Sequence, residues 1–237
     1  REPMSFGAPH HHFDSLDSTN TRARELAAEG AGHGTVVTAG EQTAGRGRQG
    51  RAWTAPPGKA LLYSAIVRPL DERHLMLPLA APLAVCEAAE ELRPGLECGV
   101  KWPNDVLVDG RKLAGILVEA RPQDGWAVVG VGLNLTISPE EFPPDLRDKA
   151  VSLFSSDATP LTAAEALSRH LGRWVEEGPS AVLEAWRDRD ALKGREVAWD
   201  GGSGVADGVD DRGYLLVVTP SGGRIAVGAG EVHLTRS

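Results

Sequence analysis

Residues 101–119 read Lys-Trp-Pro-Asn-Asp-Val-Leu-Val-Asp-Gly-Arg-Lys-Leu-Ala-Gly-Ile-Leu-Val-Glu. Two β-prone runs flank Asp109-Gly110, a dipeptide suited to a two-residue hairpin turn because both positions tolerate positive φ. The hairpin puts Lys112 near the start of its second strand. Trp102-Pro103-Asn104-Asp105 forms a rigid lead into the first strand, with polar groups at its mouth. Gly115 interrupts an otherwise bulky strand, a pattern found where something approaches the backbone closely. Taken alone, a lysine behind a hairpin turn is usually solvated, and Asn104 and Asp105 read equally well as turn caps.

Upstream lies a second unusual stretch, residues 45–53, Gly-Arg-Gly-Arg-Gln-Gly-Arg-Ala-Trp. Glycine lets backbone approach a ligand, and arginine presents a fork of donors to phosphate or carboxylate. The stretch reads as a mobile anion-binding loop, with Trp53 placed to cover an apolar part of the ligand. Read literally, residues 45–50 match the G-x-G-x-x-G dinucleotide fingerprint, which needs a strand directly before it and a helix directly after. The nearest strand-like run ends well before Gly45, and Pro56, Pro57 and Gly58 exclude a following helix. The Walker phosphate loop fails because Gly50 is followed by Arg51 and Ala52. A solvated basic loop is the competing reading.

Four motifs settle the choice by their order: Asp17-Ser18-Thr19-Asn20, the arginine loop after Gln42, the 101–119 block, and Gly130-Val131-Gly132-Leu133-Asn134. Together they resemble the biotin protein ligase family, and the resemblance runs from about residue 13 to the C-terminus. It implies an ATP-dependent enzyme that converts biotin to biotinyl-5′-AMP and passes the acyl group to a lysine of a biotin carboxyl carrier domain of a biotin-dependent carboxylase. It also implies ATP and Mg²⁺ as requirements, biotin as substrate and no tightly bound prosthetic group.

The resemblance carries residue roles. Ser18, Thr19, Asn20 and Gln42 match the biotin side, with Gly45, Arg46, Gly47, Arg48, Gly115, Gly130 and Gly132 around the same ligand. Helix capping is the plain reading of residues 18–20, and strand bulges that of Gly130 and Gly132. Lys112 and Arg48 are the expected catalytic cations. Arg48, Arg51, Trp53, Asn104, Asp105, Lys112 and Asn134 are expected at the nucleotide, and Asp105 at Mg²⁺. Gln49 departs from the basic residue common at its position but spares all three arginines. Part of residues 136–150 is expected to fold over the adenylate.

Global properties agree. A hydrophobic fraction of 41% over 237 residues supports a proper core, and a net charge of −8 argues against bulk nucleic-acid binding. Cys86 and Cys98 offer neither a disulfide framework nor metal spacing. The most apolar stretch, residues 75–89, holds Pro78 and Pro82 and is too short to cross a bilayer. A cytoplasmic location follows, with no membrane and no DNA as partners. The oligomeric state stays open, a homodimer among the options.

The expected fold is α+β: a mixed sheet flanked by helices, then a small C-terminal SH3-like β-barrel. Residues 1–12, including His10-His11-His12, are expected as a flexible leader, too short for a helix-turn-helix. Residues 13–190 are the expected catalytic domain and 191–237 the barrel. Helices are expected from residue 18 to about 28, over 72–92, 162–177 and 179–190. Strands are expected at 35–38, 60–68, 99–108, 112–119 and 126–134, with five short ones after residue 195. A lipoate ligase-like acyltransferase is the alternative activity, and a non-catalytic biotin-binding regulator the alternative class. The 45–51 loop and the 101–105 segment argue against the first. Lys112 and the three arginines argue against the second.

Overall fold

The computed structural model of the chain describes residues 5–235. In chain order its elements are β1 (His10–Leu16), α1 (Thr19–Ala28), β2 (Val36–Gln42), β3 (Ala60–Val67), α2 (Leu77–Leu92), β4 (Gly99–Lys101), β5 (Asp105–Val108), β6 (Arg111–Arg121), β7 (Trp126–Asn134), α3 (Pro160–Trp174) and α4 (Pro179–Asp188). The C-terminal strands are β8 (Glu196–Trp199), β9 (Gly202–Val209), β10 (Leu215–Val218), β11 (Arg224–Val227) and β12 (His233–Leu234). The fold is the expected α+β arrangement.

Strands β1 to β7 make one mixed sheet in the order β1-β2-β3-β7-β6-β5-β4, parallel only between β1 and β2. Side chains alternate between its faces. Tyr63, Ala65 and Val67 of β3, with Val129, Val131 and Leu133 of β7, face the main core, which α2, α3 and α4 complete. Ile66 and Val128 face the other way, against Ala23 and Ala27 of α1. Both faces of β3 are therefore covered, which is why Ala-Leu-Leu-Tyr-Ser-Ala-Ile-Val lacks the alternation of a half-exposed strand. Beyond α1, the same face carries Gly130, Gly132 and Gly115 in place of bulky residues. Gly132 is paired with Leu62 on one side and Gly115 on the other.

The expected leader does not hold for the described part. His10–His12 open β1, in register with Val36–Thr38. His10 Nε2 and His12 Nδ1 reach the Thr38 hydroxyl at 2.7 and 2.9 Å. Neighbouring Phe13 and Leu16 pack against the α1 core. A polar edge strand has no hydrophobic period, so nothing local announces it. Residues 1–4 of that leader lie outside the described residues.

Two further boundaries differ. The expected 72–92 helix begins as a 3₁₀ turn, Glu72–Met76, before α2. Pro78 has no N–H to offer the His74 carbonyl four residues back, so Leu77 N–H takes that carbonyl in the tighter pattern. The expected strand 99–108 is a hairpin, because Trp102-Pro103-Asn104 turns the chain and pairs Lys101 with Asp105.

The last five strands form an antiparallel sheet in the order β11-β10-β9-β8-β12. Its inward residues, among them Val197, Val209, Leu215 and Val217, and Val232 just before β12, belong to the same core as α2. Trp102 Nε1 donates to Gly213 O at 3.0 Å and ties the 102–104 turn to this sheet.

Candidate active site

A pocket opens on the glycine-bearing face of the main sheet, bounded by the N-terminus of α1, the 45–53 loop, the β4–β5 turn and residues 231–233. Its polar end is built where β1 hands over to α1. Ser18 caps the helix, accepting from Thr21 N–H. Thr19 N–H and Oγ1 donate to Gln42 Oε1 at 2.8 and 3.1 Å. Buried Ser64 lies 2.8 Å from Thr19 Oγ1 and 2.6 Å from Asn20 Oδ1, and Asn20 Nδ2 donates to Leu117 O at 3.2 Å. Residues 18–20 are thus a cap and a polar pocket wall at once. A Cβ on Gly130 would stand 2.1 Å from Asn20 Oδ1, so glycine is what allows this packing.

The arginine loop is a small hairpin. Gly47 N–H bonds Arg51 O at 2.8 Å and Trp53 N–H bonds Gly45 O at 2.9 Å. Gln49 and Gly50 turn it with φ of 55° and 74°. Gly45 is required because a Cβ there would sit 2.3 Å from Trp53 O. The protein supplies two carboxylates to this loop itself. Glu119 takes Arg46 Nη1 at 3.0 Å, and Glu231 pairs with Arg51. Arg48 differs: its Nη1 is buried without a partner among the described residues, as is Trp53 Nε1. A buried charged donor left unpaired is costly, and an arriving acceptor removes that cost.

Lys112 reaches the pocket through a backbone irregularity. Asp109 and Gly110, with φ of 50° and 74°, form the expected hairpin turn. The β5–β6 register then shifts, so that Val106 faces Ala114 but Leu107 faces Lys112. This bulge gives Lys112 and Gly115 one face, whereas residues three apart on a regular strand point oppositely. A Cβ on Gly115 would come within 3.2 Å of Lys112 Cε and Nζ. Lys112 Nζ sits 2.9 Å from Asp105 Oδ1 and 5.3 Å from the Trp53 ring centroid. That ring lies on Gly132, where a Cβ would be 2.4 Å from Cε2. Beneath the floor, burial pushes the Tyr63 phenol above its ordinary range against the opposing bond from Ser168.

Most expected site residues therefore meet in one pocket. Gly45 and Asn134 are the exceptions, neither lining it. Asn134 is buried, and its amide donates to Val151 O at 3.1 Å and Lys112 O at 3.5 Å, which ties it to the backbone of β6 and the 149–151 segment and not to the pocket. No residue from 136–150 lines the pocket either. The end of that segment clamps Lys112, whose N–H bonds Lys149 O at 2.7 Å. Asp105 differs from the expected metal ligand. It faces Lys112 and Lys101, and no group of three metal-binding side chains occurs among the described residues. This donor set does not fit a Mg²⁺ held by the protein alone.

Sequence reading missed Lys101, Ser64, Glu119 and the 231–233 segment. Lys101 and Glu119 open and close the 101–119 block, whereas Ser64 and the 231–233 segment carry no local signal.

Comparison with known proteins agrees with this geometry. Residues 12–135 match the model of the biotin/lipoate A/B protein ligase family. The biotin–[acetyl-CoA-carboxylase] ligase of Mycobacterium tuberculosis is 39% identical over 234 residues, covering 92% of this chain and 86% of that protein. The Aquifex aeolicus biotin protein ligase, solved with biotin and ATP, superposes with a TM-score of 0.79 at 29% identity, covering 97% of this chain and 100% of the other. The Leishmania major biotin protein ligase, solved with biotinyl-5-AMP, gives 0.67 at 26% identity, covering 96% and 100%.

Proposed function

Because this chain belongs to the biotin/lipoate A/B protein ligase family, we propose that it is a biotin protein ligase working through an acyl-adenylate. One observation carries the reading. Arg46, Arg48, Arg51, Lys101 and Lys112 converge on a glycine floor beside the Ser18–Thr19–Asn20–Gln42 cluster. That is a site for a neutral polar ring at one end and clustered anions at the other.

A carboxylate does not acylate an amine at a useful rate, because its oxygen is a poor leaving group. In the first step a biotin carboxylate oxygen attacks the α-phosphorus of ATP, forming the acyl–phosphate bond and expelling pyrophosphate. In the second, a carrier lysine amine attacks the carbonyl, AMP leaves with the bonding pair, and the nitrogen loses a proton. The first step brings two anions together. At about 4 Å and an effective dielectric of about 20, their repulsion is about 4 kcal/mol, roughly a thousandfold in rate. Lys112 and Arg48, held in place before the substrates arrive, offset that repulsion.

In this reading the ureido ring meets Ser18, Thr19, Asn20 and Gln42. Gly115, Gly130 and Gly132 give backbone room, and Arg46 and Gly47 close over the ligand. Arg51 and Asn104 face the nucleotide. The Trp53 ring, resting on Gly132, moves aside or lies against the ligand. The seven-stranded sheet with its helices, from β1 to residue 190, acts as the catalytic part, while 191–237 close the pocket through Glu231.

The test is ATP–pyrophosphate exchange. Purified protein should exchange label when biotin is present. Exchange that requires lipoate and ignores biotin would select the other branch of the family, and none with either acid would remove the adenylation reading.

A further inference from the structure

Lys101 has no role in the reading above beyond adding positive charge, yet its position is specific. In the β4–β5 hairpin Lys101 and Asp105 are cross-strand partners. Lys101 Nζ lies 3.8 Å from Asp105 Oδ2, while Lys112 Nζ lies 2.9 Å from Oδ1. One carboxylate therefore stands between two ammonium groups, and all three side chains line the pocket. The Asp105 side chain is only 18% exposed, so water screens its charge poorly.

We propose that Lys101 is a positioning residue that holds the charge of Asp105 when Lys112 turns from it to the substrate anions. The inference rests on the adenylation reading, in which Lys112 serves an incoming carboxylate and phosphate. Its single positive charge cannot offset Asp105 and two substrate anions at once. Asp105 left alone would repel those anions and draw Lys112 back. With Lys101 present the trio carries one net positive charge. Without it, Lys112 and Asp105 form a neutral pair that gives the phosphate little reason to bind. The hairpin fixes this arrangement, because Lys101 and Asp105 flank a three-residue turn whose Trp102 is anchored on Gly213.

A double-mutant cycle tests the proposal, with AMP binding measured by calorimetry for wild type, Lys101→Met, Asp105→Asn and the double variant. Lys101→Met should weaken AMP about tenfold when Asp105 is present and less than about threefold when Asp105 is Asn. Lys101→Arg, which keeps the charge, should bind within about threefold of wild type. Equal losses in both backgrounds would assign Lys101 to direct phosphate contact and overturn the proposal. So would unchanged affinity in Lys101→Met, or a wild type that does not bind AMP. Near-ultraviolet circular dichroism checks the fold of each variant, and Lys101→Gln replaces Met if that variant unfolds. AMP binding needs no biotin chemistry. A wild type that shows the expected cycle but no biotin-dependent exchange would count against the ligase reading alone.

Discussion

Lys112 shows how one side chain acquires a role from its surroundings. Its ammonium touches Asp105, stands over Trp53 and rises from a strand clamped by Lys149 and Val151. Truncation to alanine removes the cation but none of those backbone bonds. Lys112→Ala should therefore keep its near-ultraviolet circular dichroism and lose about a hundredfold or more in adenylate formation, the usual cost of removing one preorganised charge-stabilising donor. Measured biotinyl-AMP production at the wild-type rate would return Lys112 to the solvated surface. The three floor glycines show the complementary case, in which the important feature is an absent atom. Gly132 is filled by the Trp53 ring and Gly130 by the Asn20 amide.

At the scale of elements, the arginine loop is clasped from two sides, by Glu119 of β6 and by Glu231 just before β12. Both clasps are partly exposed ion pairs of modest strength, suited to exchange for a ligand anion. Glu231→Gln should free Arg51 and raise tryptic cleavage after Arg48 or Arg51 in the protein without ligands, with biotin and ATP restoring protection. Peptide mapping that finds equal cleavage in variant and wild type would remove Glu231 as a clasp. Helices α2 and α3 are joined by another polar device. His170 lies 3.0 Å from Glu87 and 2.7 Å from Glu91. The His170 bond is the main reason the Glu91 carboxyl lies below its ordinary 4.5; slight burial opposes this and the charge of Arg169 adds to it. A depressed carboxyl contributes stability above its unfolded value and loses it as pH falls through the folded one. Melting temperature should accordingly fall as pH drops from about 5 to about 3, and His170→Gln should flatten that fall. Parallel melting curves against pH in variant and wild type would show that the contact adds nothing.

The whole molecule has one main core, which runs from the seven-stranded sheet through α2 into the C-terminal strands. Fully burying a valine or leucine contributes about 1.5–3 kcal/mol, and a domain's net stability is about 5–15 kcal/mol. Deleting residues 195–237 removes Val197, Val209, Leu215, Val217, Val227 and Val232 from that core and leaves Trp102 Nε1 without its acceptor. The truncated chain should lose cooperative thermal unfolding as well as ligation. A truncated protein that melts sharply and keeps both half-reactions would mean that the sheet is an independent appendage. No described helix is long and apolar enough to span a membrane.

Much of this protein is legible locally. The Asp109-Gly110 turn, the cap at Ser18 and the strands either side of that turn follow from φ preference, capping chemistry and β propensity, which act within a few residues. Gly130 and Gly132, by contrast, read locally as bulges and gain a ligand role only from the family resemblance. Membership of the family follows from four motifs in order. The folded chain alone decides which face those motifs use. A one-residue bulge brings Lys112 over Gly115, and no strand period announces it. Asn134 stands in a matching motif, but a backbone carbonyl 17 residues later takes its amide. Glu231 meets Arg51 from 180 residues away. His10 and His12 lie in a strand paired with Val36–Thr38, where the Thr38 hydroxyl meets both rings. Local rules specify conformation, whereas these contacts depend on which distant groups the packed core brings within bonding distance.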